Sequence, residues 1–501
     1  MSPNIYPRNY RILHAIRTSL ASIADRETLS RMSAAQFKQI DKLINELMLR
    51  ADAAPYAALY KQLGLLLKEA KGAPWADRAP LTGGIVGITD LLEELDVGLS
   101  SDAYGEQLGE AFRRLSNLTA RAINIPDPQV RNFAECAVNL ELELYRLRAR
   151  AAAPVKATSA VGNIDLSAQS LSNYLVRRVP HRSGDVSDIR VIPGGFQKVT
   201  AMFDVRGSDG EVETLVIRAD KFDKFGRFDA NWVTAEYDIV RYIHDLGVPS
   251  AKPYWLEANA SELGAPFMIT SKVSGSAMPV TGLSAGPSPA SIIGPEGVRS
   301  IMETLAFLHS LPVEGLAETC IGHWLDDASL AANTAKAVRL YEEQPFWWPA
   351  ETSPTLSAAM SWLKAHVPQD DARLSILHVD YGVHNLMMEN NRVAAVLDWE
   401  NARIGDPAED ITFALSSLGP DVDREQALTW YKEAGGEAIS LNRLRFFDVY
   451  NMMKVASSGV FSAGLLEEDG NAALEWCALA LNMVGGCAGS MMTAIRMAEE
   501  C

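Results

Sequence analysis

The segment 377–385 reads LHVDYGVHN and places Asp380 two residues after His378 and five before Asn385. So short a separation puts the carboxylate and the carboxamide on one loop. The strand leaving that loop turns at 389–392 and returns as VAAVLDW, which brings Asp398 back beside Asn385. Two carboxylates and a carboxamide oxygen are ligands for a hard cation, and Mg²⁺ takes only one or two protein ligands while keeping water and substrate phosphates. Such a set suits phosphoryl transfer. One aspartate orients or deprotonates an acceptor hydroxyl, and an Asn with a second Asp holds the metal that bridges nucleotide phosphates.

The same spacing, H-x-D followed by N, occurs in kinase catalytic loops, and the other parts such chemistry needs lie upstream in the required order. A glycine pair in IPGGFQKVT, Gly194 and Gly195, falls in a turn between strands, where backbone N–H groups can approach phosphates. The strand LVIRAD carries Arg218 near its end, where kinases place a lysine for the α and β phosphates, and the helix TAEYDIVRYI supplies Glu236 to pair with it. Each piece alone has an ordinary reading: a turn, a solvated strand end, a surface helix residue, a local cap. Their order and spacing together outweigh those readings. His378 reads as a support for the loop because Asp380 already fills the role of base, and Asp406 and Asp410 read as organising the loop after the metal site. His384 has no obvious partner, and Phe346, Trp347 and Trp348 fill a core as readily as they stack on a ligand.

The elements that must carry these residues fall in two textures. From about residue 6 to 152 the pattern is helical, with the stripes Phe37, Ile40, Leu43, Ile44, Leu47 and Leu49, and Phe133, Val138, Leu140, Leu142 and Leu147. A small-residue and polar stretch at 154–170 reads as a linker. Strands follow: 199–205 and 214–217 joined through RGSDGE as a hairpin, then a helix over 232–246 ended by Gly247 and Pro249, then a strand at 266–273. Beyond it the chain is mainly helical apart from the hairpin near 386–398. The expected fold class is α+β, a bilobal domain with a small β-rich lobe at 171–275 and a larger helical lobe at 276–501, behind a helical domain at 1–153.

A chain of 501 residues is long enough for two or three domains. Its formal net charge of −17 repels a polyphosphate backbone, which disfavours nucleic acid as a partner. The five cysteines form no CxxC pair and fit a reducing, cytoplasmic setting. The N-terminal segment breaks each apolar run with Arg8, Arg11 or Arg17, unlike a signal peptide. The apolar stretch 476–492, interrupted by Asn482, Gly485 and Gly486, reads as a buried helix, so no membrane is expected.

The wording of 378–411, HVDYGVHNLMMENNRVAAVLDWENARIGDPAEDI, resembles the aminoglycoside phosphotransferase-like family of small-molecule kinases, which share the protein-kinase fold. The likeness runs from about residue 167 to the C-terminus. LDWENARIGDPAED, with SWLKAHVP ahead of the loop, resembles in particular a branch with hydroxyacyl-CoA kinases and the kinase domains fused to some acyl-CoA dehydrogenases. The resemblance implies ATP and Mg²⁺ as cofactors, Asp380 as catalytic base, Asn385 and Asp398 as Mg²⁺ ligands, and Arg218 paired with Glu236 on the phosphates. It also implies that the connector near Ser271 and Val273 offers backbone groups to adenine. Two residues depart from the family pattern: Val379 stands where glycine is usual, and Arg218 stands where antibiotic kinases carry lysine. An arginine binds phosphate as a planar fork and is not equivalent to an ammonium.

The resulting expectation is a phosphotransferase acting on a hydroxyl of a small molecule, such as a hydroxyacyl-CoA. An aminoglycoside or other small-molecule acceptor is the alternative, as is an inactive nucleotide-binding module acting through its helical N-terminal region. GTP in place of ATP, and assembly as a homo-oligomer, stay open.

Overall fold

The computed structural model describes residues 53–75, 101–149, 164–179, 184–192, 198–207, 209–220, 232–277, 287–327, 329–343, 353–467 and 474–499. The stripe at 37–49, the pair Gly194 and Gly195, and the aromatic cluster at 346–348 lie outside them. The described residues fall into two compact units that do not follow chain order: one within Met1–Ala157, Thr334–Pro368 and Leu441–Cys501, the other within Thr158–Asn333 and Gln369–Ser440.

The first unit is helical. Helices α1 (Ala53–Lys71), α2 (Ser101–Ala122) and α3 (Pro128–Ala149) pack on one another, and with them go α8 (Pro354–Ala365), α11 (Leu441–Glu467) and α12 (Leu474–Glu499). The expected stripe on α3 is buried at Phe133, Val138 and Leu142. The helix α8 starts where it does because Pro354 presets its first turn and Ser353 accepts the Leu356 N–H at 3.3 Å. The buried Glu141 of α3 completes that cap, accepting the Thr355 N–H at 2.9 Å and the Thr355 hydroxyl at 2.6 Å. A carboxylate at a helix N-terminus also complements the helix dipole. Among the described residues no helix is long and apolar enough to cross a membrane, and α12 instead buries Ala488, Met491, Met492 and Ile495.

The second unit holds a five-stranded antiparallel sheet in the order β1-β2-β3-β5-β4. Its strands are β1 (Asp185–Ile192), β2 (Lys198–Arg206), β3 (Val212–Asp220), β4 (Pro253–Glu257) and β5 (Phe267–Ser271). Alternation along β2 and β3 buries Val199, Ala201, Phe203, Leu215 and Ile217 on one face. The helix α4 (Ala168–Arg178), capped by Ser167, covers that face with Leu171, Tyr174 and Leu175. It begins inside the stretch expected as linker, since Ser167 supplies a cap there. On the way from β3 to β4 the chain forms α5 (Val233–Asp245), which buries Val233, Glu236, Ile239, Val240 and Ile243.

After the two-residue strand β6 (Ser276–Ala277) come α6 (Pro289–Ser310) and α7 (Leu330–Glu343), which from Thr334 onward belongs to the first unit, then β7 (Ser375–Leu377). The expected hairpin is present as β8 (Leu386–Glu389) and β9 (Arg392–Val396), turned by Asn390 and Asn391 at φ 50° and 57°. A short β10 (Arg403–Gly405) pairs with β7, and α9 (Ala408–Leu418) and α10 (Arg424–Glu433) complete the unit. A β-rich sheet followed by helices is the expected α+β, protein-kinase-like order.

Candidate active site

The candidate catalytic loop joins β7 to β8, and its shape is imposed from beneath. Asp410, in the first turn of α9 and fully buried, accepts the His378 N–H and the Val379 N–H, each at 2.7 Å, one on each carboxylate oxygen. The bond to His309 (3.4 Å) and the backbone N–H of His378 outweigh burial and hold the Asp410 carboxyl below the usual carboxylate range. His309 turns its other ring nitrogen to the Tyr431 hydroxyl at 3.0 Å. Thus Asp410 does more than order the loop that follows the metal site. It reaches back 32 residues to the loop before it.

This clamp fixes Val379 at φ 72°, in the left-handed region where a β-branched side chain is strained. A glycine at this position, the usual residue in the resembled family, would adopt that backbone freely. The next residue, Asp380, donates its N–H to His378 Nδ1 at 3.3 Å, while His378 Nε2 donates to the Leu397 carbonyl at 2.8 Å. His378 is therefore a buried strut between loop and hairpin, stacked edge-on against Trp399 at 4.6 Å.

Asn385 donates its Nδ2 to both the Asp380 carbonyl and Asp380 Oδ2 at 3.0 Å, an amide orientation that leaves Oδ1 as its acceptor atom. The Leu397 N–H to Asn385 carbonyl bond, 2.8 Å, sets Asp398 one residue beyond that junction. Asp398 itself adopts a left-handed backbone, φ 66° and ψ 65°. His384, which showed no partner in sequence, lies 3.4 Å from Asp380 Oδ2. Its ring occupies the space a side chain at 382 would need, since a Cβ on Gly382 would fall 2.5 Å from it. Burial alone would lower the His384 pKa, but the Asp380 carboxylate raises it above the ordinary value.

The sheet delivers the cations. Register pairs Thr200 with Arg218 and Lys198 with Asp220, so strand alternation puts these four side chains on one face. The Arg218 NH2 group lies 3.2 Å from Glu236, 2.8 Å from Asp398 and 4.0 Å from Glu400. Lys198, buried, lies 3.0 Å from Asp220 and 3.5 Å from Glu400. Asp220 in turn accepts the Val233 N–H at the start of α5, the helix that bears Glu236. Burial opposes the charge on Arg218, but Glu236, Asp398 and Glu400 outweigh it and raise its pKa. Burial first, and Asp398 second, hold the Glu400 carboxyl well above the usual carboxylate range.

Of the expected site residues, the structure joins Asp380 to Asn385, and Arg218 to Glu236 and Asp398. Ser271 ends β5 with its N–H given to the Lys252 carbonyl (2.9 Å), while its Oγ accepts the Lys252 N–H (3.0 Å). Its N–H is thus taken up within the sheet and is not open to a purine, whereas the half-buried Val273 lies beyond the strand. Lys198, Asp220 and Glu400 were not expected, and Asp410 was expected only to organise the loop after the metal site. The alternation R-x-D at 218–220 signals that Asp220 shares a face with Arg218, but Lys198 joins them only through the register of β2 on β3.

The donor set fits a nucleotide with a divalent cation. Arg218 Nε is buried and meets no hydrogen-bond acceptor among the described residues, the kind of orphan that a phosphate oxygen satisfies. Among the described residues no three His, Cys, Asp or Glu side chains form a complete metal cage. Asn385 and Asp398 instead make the partial set that suits Mg²⁺ shared with phosphates.

The phosphotransferase enzyme family, APH, matches residues 224–447. Acyl-CoA dehydrogenase family member 11 of Pongo abelii is 26% identical over 263 residues, 47% of this chain and 32% of that protein. Acyl-CoA dehydrogenase family member 10 of Mus musculus is 26% identical over 190 residues, 37% of this chain and 17% of that protein. The chain thus spans about a third or less of the length of the curated relatives it matches. A solved structure of a candidate aminoglycoside phosphotransferase from Ralstonia eutropha JMP134 is similar at 22% identity and a TM-score of 0.49, over 67% of this chain and 98% of that one. Residues 224–447 are thus those of a phosphotransferase-family region, with distant homology to the acyl-CoA dehydrogenase family members 10 and 11.

Proposed function

We propose that this phosphotransferase moves a phosphoryl group from ATP, with Mg²⁺, to a hydroxyl of a small molecule, with Asp380 as the base. The observation that carries the reading is the joined set in which Asn385 Nδ2 grips Asp380 at 3.0 Å and Arg218 bridges Glu236 and Asp398. Asp380 orients the acceptor hydroxyl and receives its proton. The Asn385 amide fixes the Asp380 carboxylate and turns its own oxygen to the cation, shared with Asp398. Bound Mg²⁺ supplies charge neutralisation on the phosphate oxygens. Arg218, steadied by Glu236, takes phosphate oxygens through its unpartnered Nε, and backbone near Val273 faces the base. Direct in-line transfer to the acceptor follows, with Asp380 as base and the cations on the phosphate oxygens.

For the acceptor, a hydroxyacyl-CoA or related anion is favoured over an aminoglycoside. Support comes from the kinship with acyl-CoA dehydrogenase family members and from a phosphate-side cation that is an arginine, whose fork suits anions. The test is transfer from ATP with Mg²⁺ to a panel of hydroxyacyl-CoAs, sugars, amino alcohols and aminoglycosides, beside Asp380→Ala. Turnover of one class that vanishes in the variant is expected. ATP binding without turnover of any class would favour the inactive nucleotide-binding module, the reading to which Val379 and Arg218 lend weight.

A further inference from the structure

A lysine buried on a strand must have its charge compensated, and Lys198 is compensated in an unusual way. One of its carboxylates, Asp220 at 3.0 Å, holds the first N–H of α5, the helix bearing Glu236. The other, Glu400 at 3.5 Å, stands two residues after Asp398. Lys198 therefore ties together the two elements that present carboxylates to Arg218. Glu400 is also within 4.0 Å of Arg218, farther than Glu236 at 3.2 Å or Asp398 at 2.8 Å. Were the Lys198 ammonium removed, Arg218 would be the nearest donor left to the Glu400 carboxyl among these groups. Closing 4.0 Å to a hydrogen-bond distance would draw the guanidinium off Asp398 and Glu236.

We propose that Lys198 is a positioning residue for Arg218: it takes up Glu400, so that Arg218 stays aligned on Glu236 and Asp398 with its Nε left for a phosphate oxygen. The inference rests on the phosphotransferase reading above. It extends that reading from one cation to two with divided work, one facing the nucleotide and one facing the acidic residue behind it.

The experiment is titration calorimetry with Mg·ATP on the full chain, comparing wild type, Lys198→Met, Glu400→Gln, the double variant and Lys198→Arg, with circular dichroism to check folding. Lys198→Met is expected to weaken Mg·ATP by about tenfold or more, and Lys198→Arg to retain most of the affinity. In the Glu400→Gln background, where no carboxyl is left for Arg218 to follow, the same Lys198→Met change is expected to cost less than about threefold. A merely structural lysine would give equal losses in both backgrounds, and that result overturns the inference. So does unchanged affinity in Lys198→Met. Should Lys198→Met alone fail to fold, the double variant set against Glu400→Gln carries the test, and a tenfold loss within that pair is the overturning result. Wild type that does not bind Mg·ATP would instead overturn the phosphotransferase reading, and this inference with it.

Discussion

Two buried clusters of charge flank the candidate catalytic loop, and they are built on opposite plans. Beneath the loop, Asp410 has an N–H on each carboxylate oxygen and His309 at its side, and His309 is itself held by Tyr431. At the sheet, Lys198 and Arg218 face four carboxylates, Asp220, Glu236, Asp398 and Glu400, and Arg218 Nε has no acceptor among the described residues. The lower cluster is closed, with its acceptors filled by its own backbone. The upper one is open in charge and in hydrogen bonding. A satisfied buried network rigidifies, whereas an unsatisfied one carries a cost until a ligand completes it. The contrast assigns shape to the lower cluster and ligand to the upper.

The largest effect falls on the residue that stands between them. Asp380→Asn keeps the volume and removes the base, and kcat for the accepted substrate is expected to fall by about 10²–10⁴-fold with little change in melting temperature. Steady-state kinetics beside a thermal melt check this. A parallel fall in stability would mean that Asp380 belongs to the structural cluster and not to the chemistry.

Breaking the lower cluster should do the reverse and strike stability first. Asp410→Ala deprives two buried N–H groups, those of His378 and Val379, of their acceptor, each at about 1–3 kcal/mol. A loss of about 2–6 kcal/mol in denaturant unfolding is expected, with activity falling as the loop loosens. An intact melt with lost nucleotide binding would erase the division of labour between the clusters.

The lower cluster should also show itself in acid. Interactions with His309 and the loop N–H groups depress the folded-state pKa of Asp410. Its contribution is therefore complete above the unfolded value, near 3.9, and is lost as pH falls through the lower folded value. Stability followed from pH 6 down to about pH 3 should fall more steeply in wild type than in Asp410→Asn, which has no carboxylate to protonate there. Equal slopes would remove Asp410 from the acid response.

How much of this was readable without coordinates depends on how local each feature is. Asp380, Asn385 and Asp398 lie on one loop and one hairpin, so spacing and turn chemistry place them. The pairing of Arg218 with Glu236 follows from the order strand, then helix. Lys198 depends on cross-strand register, which sequence alone sets loosely, and Asp410 acts across 32 residues. The packing of Pro354–Ala365 with α2 and α3, and of Leu474–Glu499 with α3, needs contacts over hundreds of residues, and no local period announces it. Backbone conformation was legible only indirectly, as a family glycine replaced by Val379.

That replacement allows the smallest of these effects to be weighed against its alternatives. Val379→Gly removes a buried side chain, worth about 1.5–3 kcal/mol, and adds unfolded-state freedom worth about 0.4–1 kcal/mol. Against this, it relieves a left-handed β-branched backbone, φ 72°, that costs about 1–3 kcal/mol. The terms leave a net cost of about 1 kcal/mol. The same change at Val199, buried to a similar degree within β2, has no such relief. Val379→Gly is therefore expected to cost about 1–3 kcal/mol less than Val199→Gly in denaturant unfolding. Equal losses would mean that the Asp410 clamp holds the turn without strain. The expected inequality would mean that the lower cluster spends part of its binding on holding a valine where glycine fits, and so fixes the residue next to the base.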